Sequence, residues 1–393
     1  MKILIIAPQP FYIDRGTPMN VKLMCKVLGE AGHSVDLLVF PTGKDVTLTN
    51  VHIIRIKNWF GVHAIPAGPS LIKLAYDVFL TGYTLWLCVT RKYDVVHGIE
   101  EGGFLAVLFG NLLRKKSVFD MDSCISEQLA YSGFIKQPFL LKCSRFIEKK
   151  ALEHSSVILT VCSSLTAKAK NIAPAASIVQ IEDIPITSVQ SSEDMQKIPA
   201  RIIDEFKFSE GMVVLYTGNL EKYQGIDLLL DAWHFLHIQA LFKSDVKLVI
   251  VGGPPEKVEH YKKLTANYDE SESICWIGAR PAGEMQDWMQ LSDVLVSPRS
   301  QGDNTPLKIY SYMDSGRPVV ATNRKTHTQV LDESMAFLAN PTPEHFAHAI
   351  LEALFNHKLA AEKTRQARKK VREKYCYSVF QQKLLNAYDA MCC

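Results

Sequence analysis

Two spacings alternate along the chain and predict its fold class. Short apolar runs rich in β-branched residues come first: KILIIAP (2–8), VDLLVF (35–40), VHIIRI (51–56), DVVHG (94–98), SVFDMD (117–122) and VILTVC (157–162) read as strands. Among them, NVKLMCKVLGEAGH (20–33) repeats apolar residues at i, i+3, i+4 and i+7 and closes on Ala-Gly-His, which predicts a helix with a glycine stop. Strands alternating with helices predict βαβ units on a parallel sheet. From about 183 to 211 the pattern lapses into polar material beginning DIPITSVQSSEDMQKIP, a linker by its composition. It then resumes with MVVLYTG (212–218), VKLVIVGG (246–253), SICWIGA (273–279), DVLVSP (293–298) and PVVAT (318–322), separated by helices such as 225–242 and 281–292. Beyond the last strand, KYCYSVFQQKLLNAYDAM (374–391) is an amphipathic helix. The fold expected is α/β, with two doubly wound parallel-sheet domains, 1–185 and 186–373, followed by a terminal helical segment, 374–393.

Composition narrows the function. At 393 residues, with 47% hydrophobic and 22% charged residues, the chain has the usage of a packed globular protein of more than one core. A net charge of +3 gives no reason to expect a nucleic-acid partner. The nine cysteines form no CxxC pair or Cys/His cluster, so neither zinc nor a disulfide framework is expected, and a reducing cytoplasm fits. MKILIIAP at the start reads as a strand and lacks the apolar region of a signal peptide. Two stretches allow contact with a membrane's inner surface. VFLTGYTLWLCV (78–89), bounded by Asp77 and Arg91, is too short to span and reads as a buried or membrane-facing helix. FIKQPFLLKCSRFIEKKALEH (134–154) sets Lys136, Lys142, Arg145, Lys149 and Lys150 among apolar residues, as a bilayer-lying helix or an ordinary solvated face would. The terminal Met-Cys-Cys is not a prenylation box.

Candidate chemistry gathers after strands. In QPFYIDRGTPMN (9–20), Gly16 and Thr17 stand where backbone can approach a ligand, or simply turn. His97 and Glu100 follow the fourth strand, and Asp120 and Asp122 close the fifth. Asp-Met-Asp has the form of a metal-holding pair, although Asp122 serves equally as a cap for SCISEQL. In YTGNLEKYQGIDLLL (216–230), Gly218 and Asn219 end a strand while Gln224 opens a helix. The stretch SPRSQGDNTPLKIYSYMDSGRPVVAT (297–322) places Asp303, Asn304 and Thr305 ahead of a helix with Pro306 in its first turn and Gly316 past its end. Lys308 sits where the helix dipole is already positive, so either a bound anion accompanies it or it points to solvent.

DRGTPMNVKLMCKVLGEAGHSVDLL, VVLYTGNLEKYQGIDLLLDAW, KLVIVGG, DVLVSP and NTPLKIYSYMDSGRPVVAT, in this order and spacing, resemble retaining glycosyltransferases of family 4. The resemblance implies the GT-B architecture of two facing Rossmann-like domains, with the terminal helix (374–393) packing back on the first. It implies a nucleotide-diphosphate sugar, UDP or GDP, bound by the second domain, and a glycan or lipid-linked cell-envelope acceptor bound by the first. It implies no metal and no cofactor. The family's Glu-x7-Glu motif, whose glutamates reach the sugar and the ribose, falls on Asp303 and Ser311 here, and Asn219 and Gln224 replace an arginine and a lysine. Lys308, with Arg299 or Arg324, is then expected to carry the diphosphate charge, joined by Gly16, Thr17, Gly218, Asn304 and Thr305. His97 and Glu100 are expected to position acceptor or sugar during front-face attack, with Asp303 at the sugar and Asp120 and Asp122 in an acceptor or structural part. The departures keep two other readings open: a GT-B epimerase or phosphorylase, and a non-catalytic nucleotide-sugar-binding partner.

Overall fold

A computed structural model describes residues 1–63, 65, 70–131, 137–188, 197–206, 211–241 and 245–391. The chain divides into two compact units, 1–183 with 380–393, and 184–379.

The first unit runs β1 (Lys2–Ala7), α1 (Gly16–Glu30), β2 (Ser34–Val39), β3 (Val51–Arg55), α2 (Leu71–Thr90), β4 (Val95–Ile99), α3 (Gly102–Leu112) and β5 (Lys116–Met121). It continues through α4 (Ile125–Tyr131), α5 (Pro138–His154), β6 (Val157–Thr160), α6 (Ser163–Ile172) and β7 (Ile178–Gln180). The strands form one parallel sheet in the order β3-β2-β1-β4-β5-β6-β7. Strand residues such as Leu4, Ile6, Leu38 and Val96 are fully buried and pack with Tyr76, Leu80 and Leu87 of α2. Strand order reverses between β1 and β4, the position at which an open α/β sheet leaves a crevice at its carboxyl edge.

The second unit comprises α7 (Ala200–Glu205), β8 (Met212–Thr217), α8 (Ile226–Ile238), β9 (Val246–Val251), α9 (Pro255–Thr265), β10 (Ile274–Gly278), α10 (Met285–Leu291) and β11 (Val294–Ser297). It goes on through α11 (Leu307–Asp314), β12 (Val319–Thr322), α12 (Lys325–Thr328), β13 (Phe337–Ala339), α13 (Pro343–Phe355), α14 (His357–Lys374) and the start of α15 (Tyr377–Asp389), most of which belongs to the first unit. Its parallel sheet has the order β10-β9-β8-β11-β12-β13, and the reversal falls between β8 and β11. Trp233 of α8 and Phe346 of α13 are fully buried in its core.

The α/β architecture of two doubly wound sheets is as the sequence predicts. Two three-residue strands, β7 and β13, escape prediction because so few residues show no period. The apolar run 78–89 is longer than it reads in sequence: α2 has 20 residues and is long and apolar enough to cross a bilayer, although its inner side packs on the sheet. Lys136, Cys392 and Cys393 lie outside the described residues. Among the described residues every cysteine is free.

Candidate active site

The second unit's reversal point is built by two strand-to-helix loops. After β8 the backbone turns at Gly218, with φ of 141°, and passes through a short 3-10 turn to Gly225, with φ of 75°. Only glycine suits Gly225, because a Cβ there would stand 2.1 Å from the carbonyl oxygen of Pro298. The two loops therefore touch through bare backbone. Asn219 closes an Asx turn by accepting the Glu221 amide at 3.2 Å, and its amide donates to the Tyr223 hydroxyl.

The second loop follows β11 and enters α11. Arg299 is buried, donating to the Gln301 carbonyl at 2.8 Å and to Asn304 Oδ1 at 2.7 Å, with its guanidinium over the Tyr223 ring. Thr326 donates to the carbonyl of Asn304, and Gln329 to that of Asp303, so α12 fixes the approach to α11 from behind. Buried His327 is held between Ser297 and Thr322; burial first, then Lys308 and Arg299, push it down to about 3, so it remains neutral. The Thr305 hydroxyl, directly ahead of the helix, is buried without a hydrogen-bond partner among the described residues.

Lys308 lies in the first turn of α11, but its side chain turns back beneath the end of β8. Its Nζ donates to the Thr217 carbonyl at 3.0 Å and to Gln224 Oε1 at 3.4 Å, 3.9 Å from the centre of the Tyr216 ring. It does not point freely to solvent. These acceptors are neutral, and burial, with Arg299 nearby, pushes the ammonium well below the ordinary lysine range. An amine so placed, with neutral oxygens as its acceptors, regains its charge when an anion binds beside it.

Ser311 is buried on α11, where its oxygen accepts the Ile186 amide at 3.0 Å. Its hydroxyl proton is what it retains for another acceptor. Arg324 stands exposed ahead of α12. Thus Gly218, Asn219, Gln224, Asn304, Thr305 and Lys308 gather around two adjoining loops, Asp303 shares the second of them, and Ser311 follows one turn into the helix.

The other predicted residues gather at the first unit's reversal point. His97, fully buried on β4, shares a 2.6 Å hydrogen bond through Nδ1 with the Tyr388 hydroxyl of α15, and its Nε2 lies 3.5 Å from Asp120 Oδ2. Glu100 follows β4 with φ of 49°; its amide donates to the Asp120 carbonyl at 2.9 Å and its carboxyl accepts the Ser123 hydroxyl at 3.2 Å. Burial, then Glu101, pushes Glu100 up to about 7. Burial, then Asp120 and Glu100, raises Asp122 well above the carboxylate range, while a hydrogen bond from Thr17, in the first turn of α1 beside Gly16, works the other way. Asp183 joins them, pushed up to about 7 by burial, then by Asp120 and Glu182.

Two findings here were not anticipated. Asp183 belongs to this acidic pocket, although its polar neighbourhood in sequence reads as a linker. Asp122 does not cap the helix after β5: Glu148 of α5 does, accepting the Ile125 amide at 2.8 Å and the Ser126 hydroxyl at 2.5 Å. Among the described residues no three His, Cys, Asp or Glu side chains are grouped as a metal ion requires.

Fold and site together define a GT-B protein in which two glycine-bearing strand-to-helix loops and Lys308 at a helix start gather in one unit and a cluster of carboxyl groups in the other. Residues 211–356, which carry the two glycine-bearing loops and Lys308, match the family described as Glycosyl transferases group 1. The chain is 25% identical over 199 residues to YtcC of Bacillus subtilis, an alignment covering 48% of this chain and 47%, about half, of that protein's length. It is 24% identical over 336 residues to the human alpha-1,3/1,6-mannosyltransferase ALG2, covering 81% of this chain and 78% of the relative. Among solved structures, Anabaena Alr3699/HepE in complex with UDP superposes with a TM-score of 0.73 at 14% identity, covering 99% of this chain and all of that one. This chain is similar to the group 1 glycosyltransferases, and its fold is GT-B.

Proposed function

We propose that the chain is a retaining glycosyltransferase that moves a hexose from a nucleotide-diphosphate sugar to a cell-envelope glycan or lipid-linked acceptor at the cytoplasmic side of the membrane. The observation that carries this reading is Lys308, a half-buried amine set among neutral acceptors in the first turn of a helix, preceded by the Thr305 hydroxyl, which has no hydrogen-bond partner among the described residues. Bond cleavage at a sugar's anomeric carbon leaves negative charge on the departing phosphate. Lys308 and the first amides of α11, rather than a metal ion, stabilise it in this reading, the electrostatic contribution on which transfer depends most. The match to the group 1 family over the same residues and the UDP complex of a GT-B relative support a nucleotide sugar as donor.

In the acceptor's site, Glu100, Asp122 and Asp183 hold protons near neutral pH and so can donate to, as well as accept from, a sugar hydroxyl. His97, locked by Tyr388, orders the floor of that pocket. Front-face attack needs no carboxylate at the anomeric carbon, because the departing phosphate oxygen takes the acceptor's proton. Asp303 serves the transferred sugar, and Ser311 the ribose through its remaining proton.

A thermal-shift series with UDP, GDP and their sugars, followed by transfer assays on glycan and lipid acceptors, tests the proposal. One nucleotide is expected to stabilise the protein, by about 2.7 kcal/mol at 100 times its dissociation constant, and its sugar to be consumed only with acceptor present. Nucleotide binding with neither hydrolysis nor transfer across the panel would instead favour the non-catalytic reading, which the replacement of a carboxylate by Ser311 keeps in view.

A further inference from the structure

The first unit carries an outward face that ordinary solvation does not account for. α2 is apolar on its inner side, as a core helix should be, but Leu71, Leu74, Val78, Trp86 and Val89 stand exposed on its outer side, Leu71 at 78%. Its only charged residues, Lys73 and Asp77, are both half-buried, off the exposed stripe. A helix lying on a soluble domain puts its polar residues where this one puts leucine, valine and tryptophan.

The stripe continues onto its neighbours. α3 packs against both α2 and α5 and exposes Leu108 and Leu112, and α5 exposes Phe139 and Phe146. Beside α2, exposed Trp59 stacks on Phe79, with the Lys57 ammonium 4.5 Å from its ring. The result is a broad apolar surface over three adjacent helices, larger in reach than the scattered apolar residues normal on a monomer.

Charge around this surface has one prevailing sign. Lys92 follows α2, Arg114 and Lys116 follow α3, and all three are exposed. On α5, Lys149 and Lys150 are tied to Glu153, whereas Lys142 and Arg145 are exposed and make no ion pair among the described residues. A second copy seated face to face would bring these cations against their own images, which disfavours self-pairing. An anionic occupant with an apolar interior matches both features.

We propose that this face docks on an anionic lipid bilayer, with α2 lying in the plane of the interface, its outer leucines and valines among the acyl chains, Trp59 and Trp86 at headgroup depth, and the α5 cations on acidic headgroups. Docking on this face also sets the carboxyl cluster close to the bilayer, where a lipid-linked hydroxyl is presented, since Lys73, in the first turn of α2, pairs with Glu101 next to Glu100. That last consequence rests on the proposed transfer activity; the docking itself does not.

Sedimentation of the full chain with phosphatidylcholine vesicles, and with vesicles one third phosphatidylglycerol, tests it. The wild type is expected to bind the anionic vesicles at least roughly tenfold more tightly, to be released by salt, and to show a blue shift of tryptophan emission. Leu74→Ser with Val78→Ser, and separately Lys142→Gln with Arg145→Gln, are each expected to weaken binding roughly tenfold or more, while the melting temperature and the nucleotide-induced shift stay as in the wild type. Equal binding to both vesicle types, binding unchanged in both variants, or a concentration-dependent dimer or acidic protein partner lost in the Leu74/Val78 variant would overturn the proposal. Because nucleotide response is read separately, loss of docking and loss of the transferase reading cannot be confused.

Discussion

Replacing Asp183 with asparagine removes one proton-binding group from the first unit's acidic pocket, and its effect on stability should depend on pH in a defined direction. In the folded protein this carboxyl is raised from 3.8 to about 7 by burial, then by Asp120 and Glu182. The folded state therefore holds its proton more tightly than the unfolded chain does. Its contribution to stability is complete below the unfolded pKa, declines as pH rises through the interval up to about 7, and is gone above it. Between pH 5 and pH 8 about two pKa units of that interval are crossed, which at 1.36 kcal/mol per unit sets a ceiling of about 3 kcal/mol. Solvent reaches part of the side chain, so screening reduces the expectation to about 1–2 kcal/mol. Urea unfolding of wild type and Asp183→Asn at both pH values measures it: the variant should gain that amount on the wild type in going from pH 5 to pH 8. A stability difference that is constant with pH, or that shifts the opposite way, would refute the placement of Asp183 among Asp120, Asp122 and Glu100.

Other consequences follow from single side chains. Glu148→Leu leaves the Ile125 amide and Ser126 hydroxyl without their acceptor, and should cost about 2–4 kcal/mol in the same assay; a change below 0.5 kcal/mol would mean that Glu148 does not cap α4. Gly225→Ala should destabilise by about 2 kcal/mol or more, since φ is 75° and the new Cβ would meet the Pro298 oxygen; a neutral result in thermal melts would contradict that loop contact. Tyr388→Phe removes the partner of His97 Nδ1 and should cost about 1–2 kcal/mol, with unchanged melting counting against the bond. Because Lys308 is depressed when free and an anion restores its charge, diphosphate binding should take up a proton and weaken as pH rises; calorimetry in buffers of different ionisation enthalpy that detects proton release would exclude this role.

Much of this architecture can be read from spacing. Both parallel sheets follow from the β-branched runs, and Gly218, Gly225 and the Asn304-Thr305-Pro306 helix start are local turn chemistry, visible without tertiary information. What was not legible depends on partners distant in sequence. Asp183 sits in a polar stretch with no periodic signal, and only the sheet brings it to Asp120. Glu148 falls on the buried side of a basic helix, where nothing nearby in sequence reveals that it turns towards Ile125. Ser311 is legible as a departure from a carboxylate motif, but not as the acceptor of the Ile186 amide. The outer stripe of α2 was half legible: its apolarity shows in sequence, whereas its exposure among the described residues needs the packing of α3 and α5.

The central claim is that a diphosphate is held by Lys308 at the carboxyl edge of β8. Isothermal titration of Lys308→Met against the wild type, with the better of UDP and GDP and with the matching nucleoside, addresses it directly. Losing a charge-assisted contact of about 1.5–3 kcal/mol should weaken the diphosphate roughly 10- to 150-fold and leave the nucleoside's affinity unchanged. Equal diphosphate affinity in the two proteins, or a loss shared equally by the nucleoside, would contradict it.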